Sequence, residues 1–125
     1  MSRQAPTQFD TEGRPMPSEI RTHLPDDSAA RKRIPLYSGL LRYFPDALVA
    51  VAECSQDGND QHNPGEPLHW AREKSCDHHD CILRHLLEVG GRDSRGVRHS
   101  ARLAWRALAA LQLEIEAERV AAGNT

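Results

Sequence analysis

The sequence predicts an all-α fold: a small helical bundle completed by homo-oligomerisation, behind a disordered or extended N-terminal arm. Three observations carry this. Apolar residues recur at spacings of three and four through the C-terminal half, and no stretch alternates apolar with polar residues as a strand would. Pro, Gly, Ser and charged residues dominate residues 1–33. The 125-residue chain is 27% charged and 38% hydrophobic, with a mean hydropathy of −0.65. That is polar for a chain that must hide a core alone, and small domains bury a modest share of their surface. Self-association is the expected source of the missing burial.

In residues 1–33, Phe9, Met16, Ile20 and Leu24 keep no period. Such a segment cannot bury enough apolar surface to offset its ordering entropy, so a flexible arm is expected. The helical domain is expected over 34–122, with 123–125 as a tail. Its first part, Pro35 to Phe44, reads as one or two helical turns. Pro45 then opens a helix, because proline suits the first helical position. Leu48, Val49, Val51 and Ala52 give that helix an apolar side, which fades by Gly58.

Gly58 to Lys74 reads as a loop, holding Gly58, Asn59, Gln61, His62, Asn63, Pro64, Gly65, Pro67, His69, Trp70 and Lys74. A loop this long in so small a domain points to function. Ser75 is the expected N-cap of a helix from Cys76 to Val89, stopped by Gly90 and Gly91. On it Ile82, Leu83, Leu86 and Val89 share one face, opposite Asp77, Asp80, Cys81, Arg84 and Glu88. The last helix is expected from Gly96 to Ala122, capped by Ser94. Val97, Ala101, Ala104, Leu108, Leu111 and Ile115 form a heptad-like seam on it, while Leu103, Trp105 and Leu113 suggest a second buried side.

Composition also narrows the function classes. A net charge of −2 and a pI near 6.4 lack the basic field that duplex DNA demands. No run of about 18 apolar residues is present, so no membrane span is expected. Pro6, Pro15 and Pro17 fall where a secretory signal would need an apolar stretch. The three cysteines Cys54, Cys76 and Cys81 are odd in number, which argues against a disulfide framework and for a cytoplasmic setting. A small anionic ligand carried with a metal ion suits this charge balance best.

Several clusters could carry such chemistry. Asp77 and Asp80 lie three apart on one helical face, a spacing at which two carboxylates can hold Mg²⁺ or Mn²⁺. The competing reading is a solvated face with an Asp80–Arg84 pair. Cys76, His78, His79, Cys81 and His85 invite zinc, but the paired spacing of structural zinc sites is absent. His79-Asp80, with His62, His69 and Asp93, offers a weak match to His-Asp phosphohydrolases. Trp70, ahead of Arg72 and Lys74, can stack on a base while the cations meet phosphates, or can plug the end of the bundle. His99, near Arg98, Arg102 and Arg106, begins a helix whose free N–H groups favour anions; a solvated basic stripe is the alternative, and the favoured one.

From about Leu36 to Leu113 the chain resembles the phage dATP/dGTP diphosphohydrolase N-terminal domains, which are related to the MazG-like all-α nucleoside-triphosphate pyrophosphohydrolases. The resemblance rests on Trp70-x-x-x-Lys74, on the run from Asp80-Cys81-Ile82-Leu83-Arg84-His85 to Leu86-Leu87, and on Gly91 and Asp93. It continues through Gly96-Val97-Arg98-His99 and Ala104-Trp105-Arg106-Ala107-Leu108. It implies a helical fold assembled as a homodimer or homotetramer in the cytoplasm of an infected host cell. It also implies metal-dependent hydrolysis of a purine deoxynucleoside triphosphate to monophosphate and pyrophosphate. Better-known members use an E-x-x-E pair and a later E-x-x-D pair; here Asp77-x-x-Asp80 stands in for one, and the earlier helix offers only Glu53 and Asp57.

On this reading Glu53, Asp57, Asp77 and Asp80 hold Mg²⁺ or Mn²⁺, and Asp80, His85 and Lys74 are catalytic. Asn59, His62, Trp70, Lys74, Arg84 and His99 bind the nucleotide. The incomplete acidic set motivates a second expectation: a non-catalytic phage protein that sequesters a nucleotide against host nucleotide signalling.

Overall fold

The computed structural model describes residues 23–72 and 76–123, together with the backbone of Gln8–Phe9 and Pro15–Met16. Those two short segments pair as antiparallel strands β1 and β2. Every other regular element is helical, in the order α1 (Ser28–Lys32), a π-helical turn (Tyr37–Leu41), α2 (Pro45–His62), α3 (His78–Leu87) and α4 (His99–Ala121). The all-α expectation therefore holds apart from the strand pair. Helix α1, capped by the Asp27 carboxylate on the Ala30 N–H at 2.8 Å, falls inside the stretch expected to be a flexible arm. Most of that arm lies outside the described residues. No described helix is long and apolar enough to cross a membrane.

The helical turn expected before Pro45 has a π geometry: Leu41 N–H donates to Leu36 C=O and Arg42 N–H to Tyr37 C=O, each five residues back. Gly39 permits it, because a Cβ there would meet the Pro35 ring at 2.8 Å. Pro45 opens α2 as expected. The helix then runs past Gly58 to His62. One helical glycine costs about 1 kcal/mol, and the residues on both sides of it, Asp57 and Asn59, are tied to other elements by side-chain hydrogen bonds.

Helix α3 begins later than expected, at His78, with Asp77 rather than Ser75 in the cap position and no side-chain cap bond. Ser75 lies outside the described residues. Helix α4 begins at His99 with Arg98 as cap, not at Gly96 with Ser94. A tight turn takes the intervening residues: the Asp93 carboxylate accepts from the Arg95 and Val97 N–H groups, and Gly96 adopts φ +81°. Arg92 and Arg98 close the turn as an isolated antiparallel bridge.

Helix α4 packs against both α2 and α3. The buried apolar residues are small: Cys54, Cys81, Ala101 and Ala109. Helix α3 buries a side different from either face read from its sequence. Of the expected apolar face only Ile82 is half-buried, and of the opposite face only Cys81 is buried, while Asp77, Asp80, Arg84 and Glu88 are exposed. His78 and Cys81 are buried and His85 is half-buried, whereas Leu83, Leu86 and Val89 are exposed and Leu87 is 87% exposed. On α4 the seam residue Ala101 is buried, while Leu108 and Leu111 are exposed. Leu36, Tyr37, Tyr43 and Phe44 add to the apolar surface.

Candidate functional site

A cavity of about 690 Å³ opens between α2, the loop after it, α3, α4 and the turn at Asp93. The size suits a ligand of a few hundred daltons. The loop owes its position to Asn59, which is 4% exposed. Its Nδ2 donates to Glu66 C=O at 2.9 Å, and its Oδ1 accepts from the His69 N–H and from Asn63 Nδ2, both at 3.3 Å. These bonds carry the chain from the end of α2 back across its last turn and deliver Trp70 to the cavity wall. Trp70 meets Trp105 of α4 edge-on, with ring centroids 5.8 Å apart, and the Arg72 guanidinium lies 4.2 Å from the Trp70 ring centre. Arg72 is held there by Glu116.

The cavity floor is cationic. Arg102, Arg106 and Arg95 line it beside Asp93. Arg102 is the hub: Nη2 donates to Asp57 at 2.6 Å, Nε to Asp93 at 2.9 Å, and Nη1 lies 3.7 Å from Cys54 Sγ. Arg95 Nε donates to both Asp57 oxygens, at 3.1 and 3.0 Å. Hydrogen bonds from Arg95 and Arg102 hold the Asp57 carboxyl below its ordinary pKa. Burial works against ionisation of Asp93, but donors from Val97, Arg102 and Arg95 win and lower its pKa too. Burial raises the Cys54 thiol, which stays protonated and packs as a small apolar group rather than acting as a nucleophile.

His85 also lines the cavity. Its Nδ1 sits 3.0 Å from His99 Nδ1, and His99 Nε2 sits 3.0 Å from the Glu88 carboxylate. Burial, then the neighbouring His99, Arg102 and Arg106, lower the His85 pKa below the ordinary histidine value. His78, deeper on the same helix face, has Nδ1 3.2 Å from Arg106 Nη1, and its buried Nε2 has no hydrogen-bond partner.

Of the residues expected to form a site, Asn59, His62, Trp70 and His85 line this cavity together. Asn59 does so while its amide holds the loop. His99 stands behind His85, 8% exposed and absent from the cavity wall. Arg84 lies elsewhere, on the exposed side of α3, donating to Asp77 at 3.3 Å and to Cys81 Sγ at 2.9 Å. The pairing expected for Arg84 was with Asp80, one turn away; the partner found is Asp77, at the mouth of the helix. Asp80 is exposed in the first turn of α3, outside the cavity. Glu53 lines a separate cleft with Arg92, Val97 and Arg98. Lys74 lies outside the described residues.

The four carboxylates expected to hold a metal are thus not brought together within one chain. Among the described residues no three His, Cys, Asp or Glu side chains gather as a cation site. The acid that lines the cavity, Asp93, is paired with Arg102, and Asp57 behind it is already neutralised by two guanidinium groups. The donor set of the described residues does not fit a divalent ion held by one chain alone.

Sequence reasoning gave Arg102 and Arg106 to solvent and Trp105 to the core. The structure places all three on the cavity wall, with the Arg102 side chain 14% exposed. Arg98, Arg102 and Arg106 recur every four residues, but Asp57 had been given to a metal and Asp93 to a His-Asp match, so the acids that face the arginines were read for other roles. No curated protein and no solved structure matches the chain. The family model of the dATP/dGTP diphosphohydrolase N-terminal domain does, over residues 25–122, and the chain belongs to that family.

Proposed function

We propose that this protein hydrolyses a purine deoxynucleoside triphosphate to the monophosphate and pyrophosphate, in the cavity between α2 and α4. One observation carries the reading: a single wall combines two indole rings with three arginines. Trp70 and Trp105 offer π surface to a base, and Arg95, Arg102 and Arg106 offer positive charge to phosphates. The name of the family supports the same substrate class and reaction. His62 and His69, at the rim, provide further polar contacts for the sugar or base. Mg²⁺ or Mn²⁺ belongs to this proposal as an ion that arrives on the triphosphate. Magnesium is commonly held by one or two carboxylates plus substrate phosphates, so a complete protein cage is not needed.

The protein acts as a homodimer or homotetramer in this reading. Leu83, Leu86 and Leu87 on α3, with Leu108 and Leu111 on α4, expose more apolar surface than a lone domain keeps in water. The test of the activity is incubation of the full chain with each common nucleoside triphosphate and Mg²⁺, reading pyrophosphate and monophosphate. Release from dGTP or dATP supports the proposal; no release from any of the panel overturns it. A second reading, binding without turnover, draws on the neutralised state of Asp57 and Asp93. Intact nucleotide retained by the protein, with no metal-dependent loss, would favour it.

A further inference from the structure

We propose that Glu88, His99 and His85 form a relay that fixes His85 with a bare Nε2 facing the cavity, making it the proton acceptor for the reaction there. The inference rests on the hydrolytic reading above for its substrate, but its first test does not.

The roles of the ring nitrogens follow from the far end of the chain. We take the Glu88 carboxylate, which lies 3.0 Å from His99 Nε2 and can only accept, as the group that places a proton on that nitrogen. The other nitrogen of that ring, His99 Nδ1, then offers the lone pair. The facing nitrogen, His85 Nδ1, is 3.0 Å away and must donate to it. His85 therefore carries its proton on Nδ1, and its Nε2 has the lone pair. That nitrogen has no hydrogen-bond partner among the described residues, and His85 belongs to the cavity wall while His99 does not. The fold builds the relay from two helix ends. Glu88 caps the C-terminus of α3 one turn after His85, and His99 is the first residue of α4. The turn at Asp93 and Gly96 brings those ends together, with His99 N–H donating to Gly91 C=O at 3.1 Å.

The groups facing His85 are His99, Arg102 and Arg106 of α4 and Asp93 of the turn. Burial first, then His99 and the two cations, disfavour protonation of the imidazole in the empty site, which leaves it ready to accept. A triphosphate entering the cavity offsets those cations and raises the basicity of His85 when it is needed. In the step itself, the oxygen of a water molecule bonds to the α-phosphorus as the bridge from that phosphorus to the β-phosphate oxygen breaks. The electron pair of the broken bond leaves with pyrophosphate. One water proton passes to His85 Nε2, and the other stays with the monophosphate. The new imidazolium keeps its Nδ1–H bond to His99, whose far side is held by Glu88. His85 is the catalytic residue here; His99 and Glu88 are positioning residues.

The first test is the tautomer of His85 in the nucleotide-free full chain, from long-range ¹⁵N–¹H correlation spectra assigned with His85→Gln and His99→Gln. The Nδ1–H form is expected. An Nε2–H form, which a charged His99 donating towards His85 would impose, overturns the proposal. Glu88→Ala is expected to mix the tautomers, and Glu88→Gln, whose amide oxygen still accepts from His99, to restore the single form. Glu88 is 65% exposed, so neither change threatens folding. An unmixed spectrum in Glu88→Ala also overturns the relay. In turnover, His85→Gln is expected to lose roughly 100-fold or more in kcat, the range of a lost general base, and Glu88→Ala roughly 10-fold with KM unchanged. Wild-type protein that shows the expected tautomer but releases no pyrophosphate overturns the hydrolytic reading and the proton transfer, and leaves the relay geometry upheld. Active His85→Gln overturns the proton transfer alone.

Discussion

Arg102→Met is the perturbation that most directly tests how the cavity is held open. The side chain is 14% exposed, and it bridges Asp57 of α2 and Asp93 of the turn. Methionine keeps much of the volume and removes every donor. Breaking a buried ion pair by deleting one partner costs about 3–5 kcal/mol, because a charge is left without compensation. Here both acids are about one-fifth exposed, Asp57 keeps Arg95, and Asp93 keeps the N–H groups of Arg95 and Val97. The cost should therefore fall at the lower limit, about 3 kcal/mol. At about 4 °C per kcal/mol for a domain of this size, Tm should drop by about 12 °C. The assay is thermal unfolding by circular dichroism at fixed protein concentration, because the proposed assembly would make Tm concentration-dependent. The pH dependence adds a second constraint. Asp57 and Asp93 have depressed pKa values in the folded protein. Their stabilisation is full above the ordinary carboxylate value of 3.8 and is lost as pH falls through the lower, folded values. The gap between wild type and Arg102→Met should be constant from pH 7 to about 5 and close below about 4. A Tm within 2 °C of wild type at pH 7, or a gap that widens in acid, would refute the reasoning.

Trp70→Ala removes one face of the proposed base site, and stacking of a base on an indole is worth about 1–3 kcal/mol. The Kd for a purine nucleotide by calorimetric titration should rise roughly 5- to 150-fold; an unchanged Kd would take Trp70 out of the site. Asn59→Ala strands Glu66 C=O and the His69 N–H, so a loss of about 2 kcal/mol is expected, with a shift in Trp70 emission measured against a Trp105→Phe background. Unaltered emission would show that the loop is held by something else. Leu86→Glu places a charge on the exposed apolar face of α3, and light scattering after size exclusion should report a smaller species than wild type. Wild-type protein that is monomeric at micromolar concentration would contradict the assembly outright.

Sequence patterning recovered the helices by their punctuation better than by their faces. Pro45 opened α2 where expected, and the two glycines after Val89 follow the end of α3. Side-chain hydrogen bonding to the backbone defeated the remaining boundaries. Asp93 turns residues 93–97 into a tight loop that delays α4 to His99, and propensity cannot see a carboxylate shared with Arg102 from nine residues away. Asn59, placed in a loop by its neighbours Gly58 and Asn63, sits inside α2 because its side chain serves the following chain rather than its own turn. The aromatic member of the site was visible in the sequence, since Trp70 stands between His69 and Arg72. The arginines were not. An i, i+4 basic stripe looks solvated unless the acids that neutralise it are known to lie opposite.

The rotation of α3 away from its expected apolar face connects these misplacements. A hydrophobic stripe is normally taken to mark the core side of a helix, and by that rule Leu83, Leu86 and Val89 should be inside. They are exposed, while His78, Cys81 and His85 on the other side meet α4. Burying two histidines within a chain is costly unless their nitrogens find partners. Arg106 and His99 supply one each, which leaves His78 Nε2 unmatched, while half-buried His85 lines the cavity. The histidine side of α3 is therefore the side that meets α4 and the cavity, and Leu83, Leu86 and Leu87 are left exposed. A chain that folded alone for stability would have been selected to turn this helix the other way. One that builds its site inside the protomer and obtains its burial from a second copy would keep the present orientation, and the joint outcome of Leu86→Glu and His85→Gln separates the two. If the site belongs to the protomer, dissociation should lower Tm far more than it lowers nucleotide affinity, whereas His85→Gln should lower kcat and leave the assembly intact.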